Sequence, residues 1–215
     1  MNTAKPSSFS QVFLFAGTLF ASATLMFVLQ PMFGKILLPL LGGTPAVWNT
    51  CMVFYQTLLF GGYLYAHLLT TRTGSQRQIQ IHAALMLFSL FALPVALPAD
   101  AHPPTDSNPT FWLIWTLFLA IGLPFFVVST TAPLLQKWFS HLGHRSSDDP
   151  YYLYAASNAG SLLALLSYPF LIEPNIGLVN QRLFWSVGYG LLCVLILICA
   201  IALWRSQSNL AGSQE

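Results

Sequence analysis

Charge is what this chain has least of. Eight Lys and Arg and six Asp and Glu among 215 residues make it 7% charged, against about 25% in an ordinary soluble domain. With 55% of its residues hydrophobic, a water-soluble globule could not cover its own surface, and that class is excluded. Cysteine is scarce too. Cys51, Cys193 and Cys199 all fall inside apolar runs, where they act as small hydrophobes rather than as a disulfide or metal framework. There is no Gly-x-Ser-x-Gly elbow, no His-Glu-x-x-His, no phosphate-cradling glycine loop and no carboxylate pair within an apolar run, so no catalytic centre can be argued. The net charge of +2 implies no nucleic acid, because membrane topology accounts for the basic residues.

Long apolar runs, by contrast, are plentiful. Six stand out at 9–29, 47–69, 79–97, 111–128, 151–171 and 183–204, each near the 20 or so residues a helix needs to cross roughly 30 Å of hydrocarbon. Gly42, Gly43 and Pro45 punctuate the first gap, Pro98, Pro103, Pro104 and Pro109 the third, and Pro150 the fourth. The reading is all-α: a polytopic membrane protein with one six-helix bundle over residues 1–205 and a polar tail at 206–215. Strands of a β-barrel would alternate in segments of about ten residues, and these runs are too long and too uniform for that.

Lys5, Arg72, Arg77, Lys137, Arg145 and Arg205 fall on one side of such a bundle, and only Lys35 and Arg182 on the other. By the positive-inside rule both termini and the tail are cytoplasmic, and the segment holding Asp100, His102 and Asp106 faces out. Ala21-Ser22-Ala23 imitates a signal-peptidase site, yet the apolar run continues through Leu29, so an uncleaved first span is expected. One unbroken helix from Phe9 to Leu41 would be about 50 Å long, too much for a single crossing, so a break at Pro31 or Gly34 is expected as well.

Polar side chains in hydrocarbon need partners or water. In the second run Asn49, Gln56, Tyr63 and His67 are seven, seven and four residues apart, which at about 100° per residue puts them within about 40° of one line. The line is either hydrogen-bonding glue between helices or the lining of a substrate path. Gln11, Thr18 and Ser22 with Gly17 and Ala21 read as a contact face of the first span. In "AASNAGS", Ala156, Gly160, Ala164 and Ser167 form a small-residue ridge fit for close helix approach, with Asn158 off it as glue or ligand contact. Lys35 and Glu173, both at the outer side, are an ion-pair candidate. His67 and His82 flank the hairpin after the second span and are the haem or metal candidates, and His141 with His144 lies in a loop that also holds Asp148 and Asp149. The expectation is no cofactor, with interfacial or solvated imidazoles.

Four stretches together carry a resemblance: "QPMFGKILLPLLGGTPAVWNTCMVFYQTLLFGGYLYAH", "STTAPLLQKWF", "DPYYLYAASNAGSLLALLSYPFLIEP" and the basic hairpin "TRTGSQR". From Gln30 to about Gln181 the chain resembles the membrane part of the bacterial fused major-facilitator/spermidine-synthase proteins. The hairpin keeps Arg72, Gly74 and Arg77 of the facilitator loop motif but has Thr71 where an acidic residue is usual. The resemblance implies one half of a major-facilitator bundle in a bacterial cytoplasmic (inner) membrane. The aminopropyltransferase-like domain that follows in the fused relatives is not found after Trp204, so no enzyme activity is expected.

A lone half implies a partner beyond the lipid bilayer: a second copy, another membrane chain or a synthase-like subunit. Transport of a small organic solute is the leading reading, polyamine-related only through the resemblance. Asn49, Gln56, Tyr63, His67 and Asn158 are its substrate-path candidates, with Tyr65 and Tyr154 as further aromatic contacts for a cation. A non-transporting scaffold that anchors a cytoplasmic enzyme through residues 136–150 is the alternative, and a haem-bearing redox subunit the third.

Overall fold

The computed structural model describes residues 9–98, 100–105, 108–142 and 151–211, and among these the chain is helical with no strand. Helix α1 (Phe9–Leu41) runs for 33 residues. Gly42 then turns the chain at φ 71, a left-handed conformation that costs a glycine little. The Thr44 hydroxyl accepts the Val47 N–H at 3.4 Å and Pro45 fills the first turn, so α2 (Pro45–Arg72) starts where both signals place it. Thr73 is extended and ends α2, α3 (Ser75–Ser89) follows, and a 3-10 turn at Leu90–Ala92 closes it.

Two π-helical stretches interrupt the second half of the chain. Phe118–Gly122 joins α4 (Thr110–Leu117) to α5 (Leu123–Ser140), and Tyr168–Ile172 joins α6 (Tyr151–Ser167) to the single turn α7 (Glu173–Asn175). Pro124 follows the first and Pro169 sits in the second, and a wider turn tolerates the missing N–H of a proline. Helix α8 (Leu178–Ala211) is the last. It continues into the residues read from sequence as a polar tail.

Among the described residues, four continuous helices are long and apolar enough to cross a membrane: Ser10–Leu41, Thr110–Ser140, Tyr151–Asn175 and Leu178–Gln207. An integral membrane protein is therefore the class this architecture fits. Six spans were expected. Helix α2 is long enough, but its Asn, Gln, Tyr and His dilute its apolar character, and α3 has only 15 residues. The expected break in the first span does not occur, because α1 is continuous through Pro31 and Pro39. Met32, Phe33 and Leu37 beyond the first proline are at most 1% exposed, and that burial outweighs one lost backbone hydrogen bond.

Helix α1 is the central strut, packed against α5, α6 and α8, while α2 rests on α4 and α5, and α3 on α5 and α8. Phe15, Phe33, Phe125, Trp138, Phe139 and Tyr189 fill the middle. Several polar groups inside are answered. Ser22 donates to the Val128 carbonyl at 3.2 Å, the Trp185 indole N–H donates to the Leu25 carbonyl at 2.8 Å, and Ser89 bonds Tyr189. The ridge in "AASNAGS" meets α1: a Cβ at Gly160 would run into the Phe20 carbonyl, and Thr24 Oγ1 donates to the Gly160 carbonyl at 3.3 Å. Small residues there let two backbones touch.

Candidate functional site

The line of polar residues on α2 lies on the outside of the bundle. Its inner face, Cys51, Phe54, Tyr55, Gly62, Ala66 and Leu69, is buried. Gly62 is where α5 comes closest, since a Cβ there would collide with Ser129, whose hydroxyl donates to the Leu58 carbonyl at 3.3 Å. Tyr55 is packed at 5.3 Å from the Phe125 ring. With that face turned inward, helical geometry sends the opposite one out.

Asn49, Gln56, Tyr63 and His67 are all exposed, with Tyr63 at 48%. Apolar neighbours share their face: Met52, Val53, Phe60 and Leu64 are 46%, 60%, 70% and 44% exposed. None of the four polar side chains hydrogen-bonds another described residue. Among the described residues the four side chains make no bond between helices, because α2 meets its neighbours with its other side. An amide set in hydrocarbon without a partner would carry a large desolvation cost, and no described residue of this chain answers the four side chains.

Asn158 is also exposed, on the side of α6 away from the α1 seam, and its own carbonyl accepts the Ser161 hydroxyl at 2.9 Å. It does not join the α2 line in one cluster. The small-residue ridge of the fifth run packs within the bundle, as do Thr18 and Ser22 of the first, where Thr18 bonds the Leu14 carbonyl at 2.7 Å and approaches Cys199 Sγ at 3.5 Å, whereas Gly17 stays exposed.

At the other end of the polar inventory, Lys35 Nζ and Glu173 Oε1 form an ion pair between α1 and α7, with side chains 44% and 35% exposed. The pair lies in a groove of about 440 Å³ walled by Leu38, Trp48, Leu165 and Tyr168. Tyr168 donates from behind the groove to Gln181 Oε1 at 3.1 Å, and Gln181 donates onward to the Ile176 carbonyl at 2.6 Å.

The histidines do not converge. His82 is fully buried, its ring 6.0 Å from Tyr65 and 6.2 Å from Trp138, while His67 points outward two residues beyond Tyr65 on the opposite side of α2. The arrangement leaves His67 exposed and His82 buried, and does not bring them together. Among the described residues no group of three or more His, Cys, Asp or Glu is placed to hold a metal ion. His141 ends α5, and partial burial, with the Lys137 ammonium behind it, lowers its pKa below the ordinary imidazole value. His144, Asp148 and Asp149 lie outside the described residues, as do 143–150 of the expected docking segment, while Gln136–Ser140 belong to α5.

One polar cluster was not anticipated. Gln78 is 2% exposed and accepts the Trp138 indole N–H at 3.0 Å while donating to the Thr73 carbonyl at 2.8 Å. Beside it His82 Nδ1 faces the Tyr65 hydroxyl at 3.5 Å, and His82 Nε2 has no partner among the described residues. The signal was available, since Gln78, His82, Met86 and Ser89 recur at helical spacing and form the buried face of α3.

Comparison with protein-family models, with curated proteins and with solved structures finds no match to this chain.

Proposed function

We propose that the chain is one half of a two-part membrane transport assembly for a small organic solute, and that the outward face of α2 is where the second half closes the path. The carrying observation is the line Asn49, Gln56, Tyr63 and His67, exposed along a helix whose remaining faces are packed. Such a line is costly against acyl chains and useful against a polar neighbour or a water-filled seam. The resemblance to a facilitator half supports this reading, since transporters of that kind place their site between two halves. In it the expected topology applies: both termini cytoplasmic, in a bacterial inner membrane. The partner is a second copy or a separate membrane chain. Polyamine as the solute comes from the resemblance alone, and no carboxylate lies deep in a span to favour a polycation.

The test is a photo-crosslinker at position 56 in native membranes, followed by uptake assays in proteoliposomes of whatever is captured. Capture of a membrane chain, together with labelled-solute uptake that fails when Gln56 and Asn49 are both replaced by Leu, is the expected result. A Gln56 probe that crosslinks only lipid overturns the reading.

A further inference from the structure

The outer groove has the composition of a headgroup site. Measured along α1 at 1.5 Å per residue, Lys35 lies about 38 Å beyond Ser10, where the long apolar helix begins. Along the helix that begins at Tyr151, Glu173 lies about 33 Å from the start. Both exceed the roughly 30 Å of hydrocarbon, which puts the paired charges toward the interfacial end of their two helices. Trp48 in the first turn of α2 and Tyr168 beside Glu173 add the aromatic side chains that gather at that level.

The groove is held open by particular residues. Gly34 forms its floor under the Trp48 indole, and a Cβ there would stand 2.6 Å from Trp48 Cη2. Leu38 and Leu165, 41% and 49% exposed, extend an apolar wall from the charges toward the acyl region. The ion pair itself is a weak lock, because both side chains remain open to solvent.

We infer that this groove binds a zwitterionic aminophospholipid, with the phosphate on Lys35, the primary ammonium on Glu173 and an acyl chain along Leu38, Trp48 and Leu165. Charge complementarity selects the class. A simple anion would leave the Glu173 carboxylate unpaired, and a simple cation would do the same to Lys35. A molecule carrying both charges exchanges one exposed pair for two charge-assisted contacts. A quaternary choline cannot donate a hydrogen bond to Glu173, so a primary amine is preferred. The inference rests on embedding in a bilayer and not on the transport reading.

The experiment titrates the purified full chain in detergent with brominated phosphatidylethanolamine, phosphatidylcholine and phosphatidylglycerol. The readout is the tryptophan quenching that a Trp48→Phe variant loses. Phosphatidylethanolamine is expected to half-saturate at a concentration about tenfold below the other two, the effect of one charge-assisted contact. Lys35→Gln and Glu173→Gln should each abolish the preference, and the double exchange Lys35→Glu with Glu173→Lys should restore it. Equal binding of the three lipids, or a preference that survives both single variants, overturns the inference. So does displacement of the lipid by soluble phosphoethanolamine, which would assign the groove to a free zwitterion. If a variant fails to fold, the lipid preference of the unaltered chain decides alone.

Discussion

The seam between α1 and α6 and the outer face of α2 carry similar residues with opposite outcomes. At the seam a glycine admits the facing backbone, and a threonine hydroxyl caps the contact on the Gly160 carbonyl. On α2 two amides, a phenol and an imidazole stand exposed among Met52, Val53, Phe60 and Leu64. A polar or small residue in an apolar helix is therefore not a site by itself. What distinguishes the two regions is whether an answering group stands among the described residues of this chain.

The largest effect should come from breaking the seam. Gly160→Val places a branched side chain against the Phe20 carbonyl, where backbone and not a flexible tip must yield. A loss of about 3 kcal/mol is expected, at the upper end for overpacking, read as a lowered thermal midpoint of the detergent-solubilised chain. Gly17→Ala on α1 is the control. Nothing lies within 4 Å of a Cβ there, so it should be neutral or stabilising by up to about 1 kcal/mol through helix propensity.

Next in size is the answered polar group at the other end of the bundle. Gln78→Leu removes the acceptor of the Trp138 indole and the donor to the Thr73 carbonyl together. Stranding them should cost about 1–3 kcal/mol. Adding Trp138→Phe to Gln78→Leu should lose less than the sum of the two single losses, because the indole donor is then gone as well. Strict additivity in that cycle would mean the bond contributes nothing.

The helices were legible in the sequence because run length and turn residues are local properties, and α2 begins at the threonine and proline that announce it. Other features were not, for identifiable reasons. The break expected at Pro31 was overridden by burial of Met32, Phe33 and Leu37, which only tertiary contact reveals. The fourth apolar run stops at residue 128 and three hydroxyls follow, yet Ser129, Thr130 and Thr131 bond back to Phe126 and Val127 carbonyls and α5 continues to Ser140. The role of Gln78 was not legible, because its partner Trp138 lies sixty residues further along the chain. For α2, spacing told which residues share a face but not which way that face points. Contacts between distant parts of the chain, Gly62 against Ser129 and Tyr55 against Phe125, fix the rotation.

That rotation yields the smallest effect on stability and the sharpest use of the comparison. Gln56 has no partner within the described chain, so Gln56→Leu should change the thermal midpoint of the isolated chain by no more than its surface character allows, within about 0.5 kcal/mol. Gln78→Leu, the same substitution at a buried and answered position, should exceed it several-fold. If the two losses were equal, Gln56 would be held inside the bundle and the outward assignment of α2 would be wrong. If Gln56→Leu is silent in the isolated chain but weakens association in a bilayer, measured by energy transfer between differently labelled copies, the answering group on α2 comes from another copy of the chain. Silence in both settings, with capture of a different membrane chain at position 56, moves that group to a second protein.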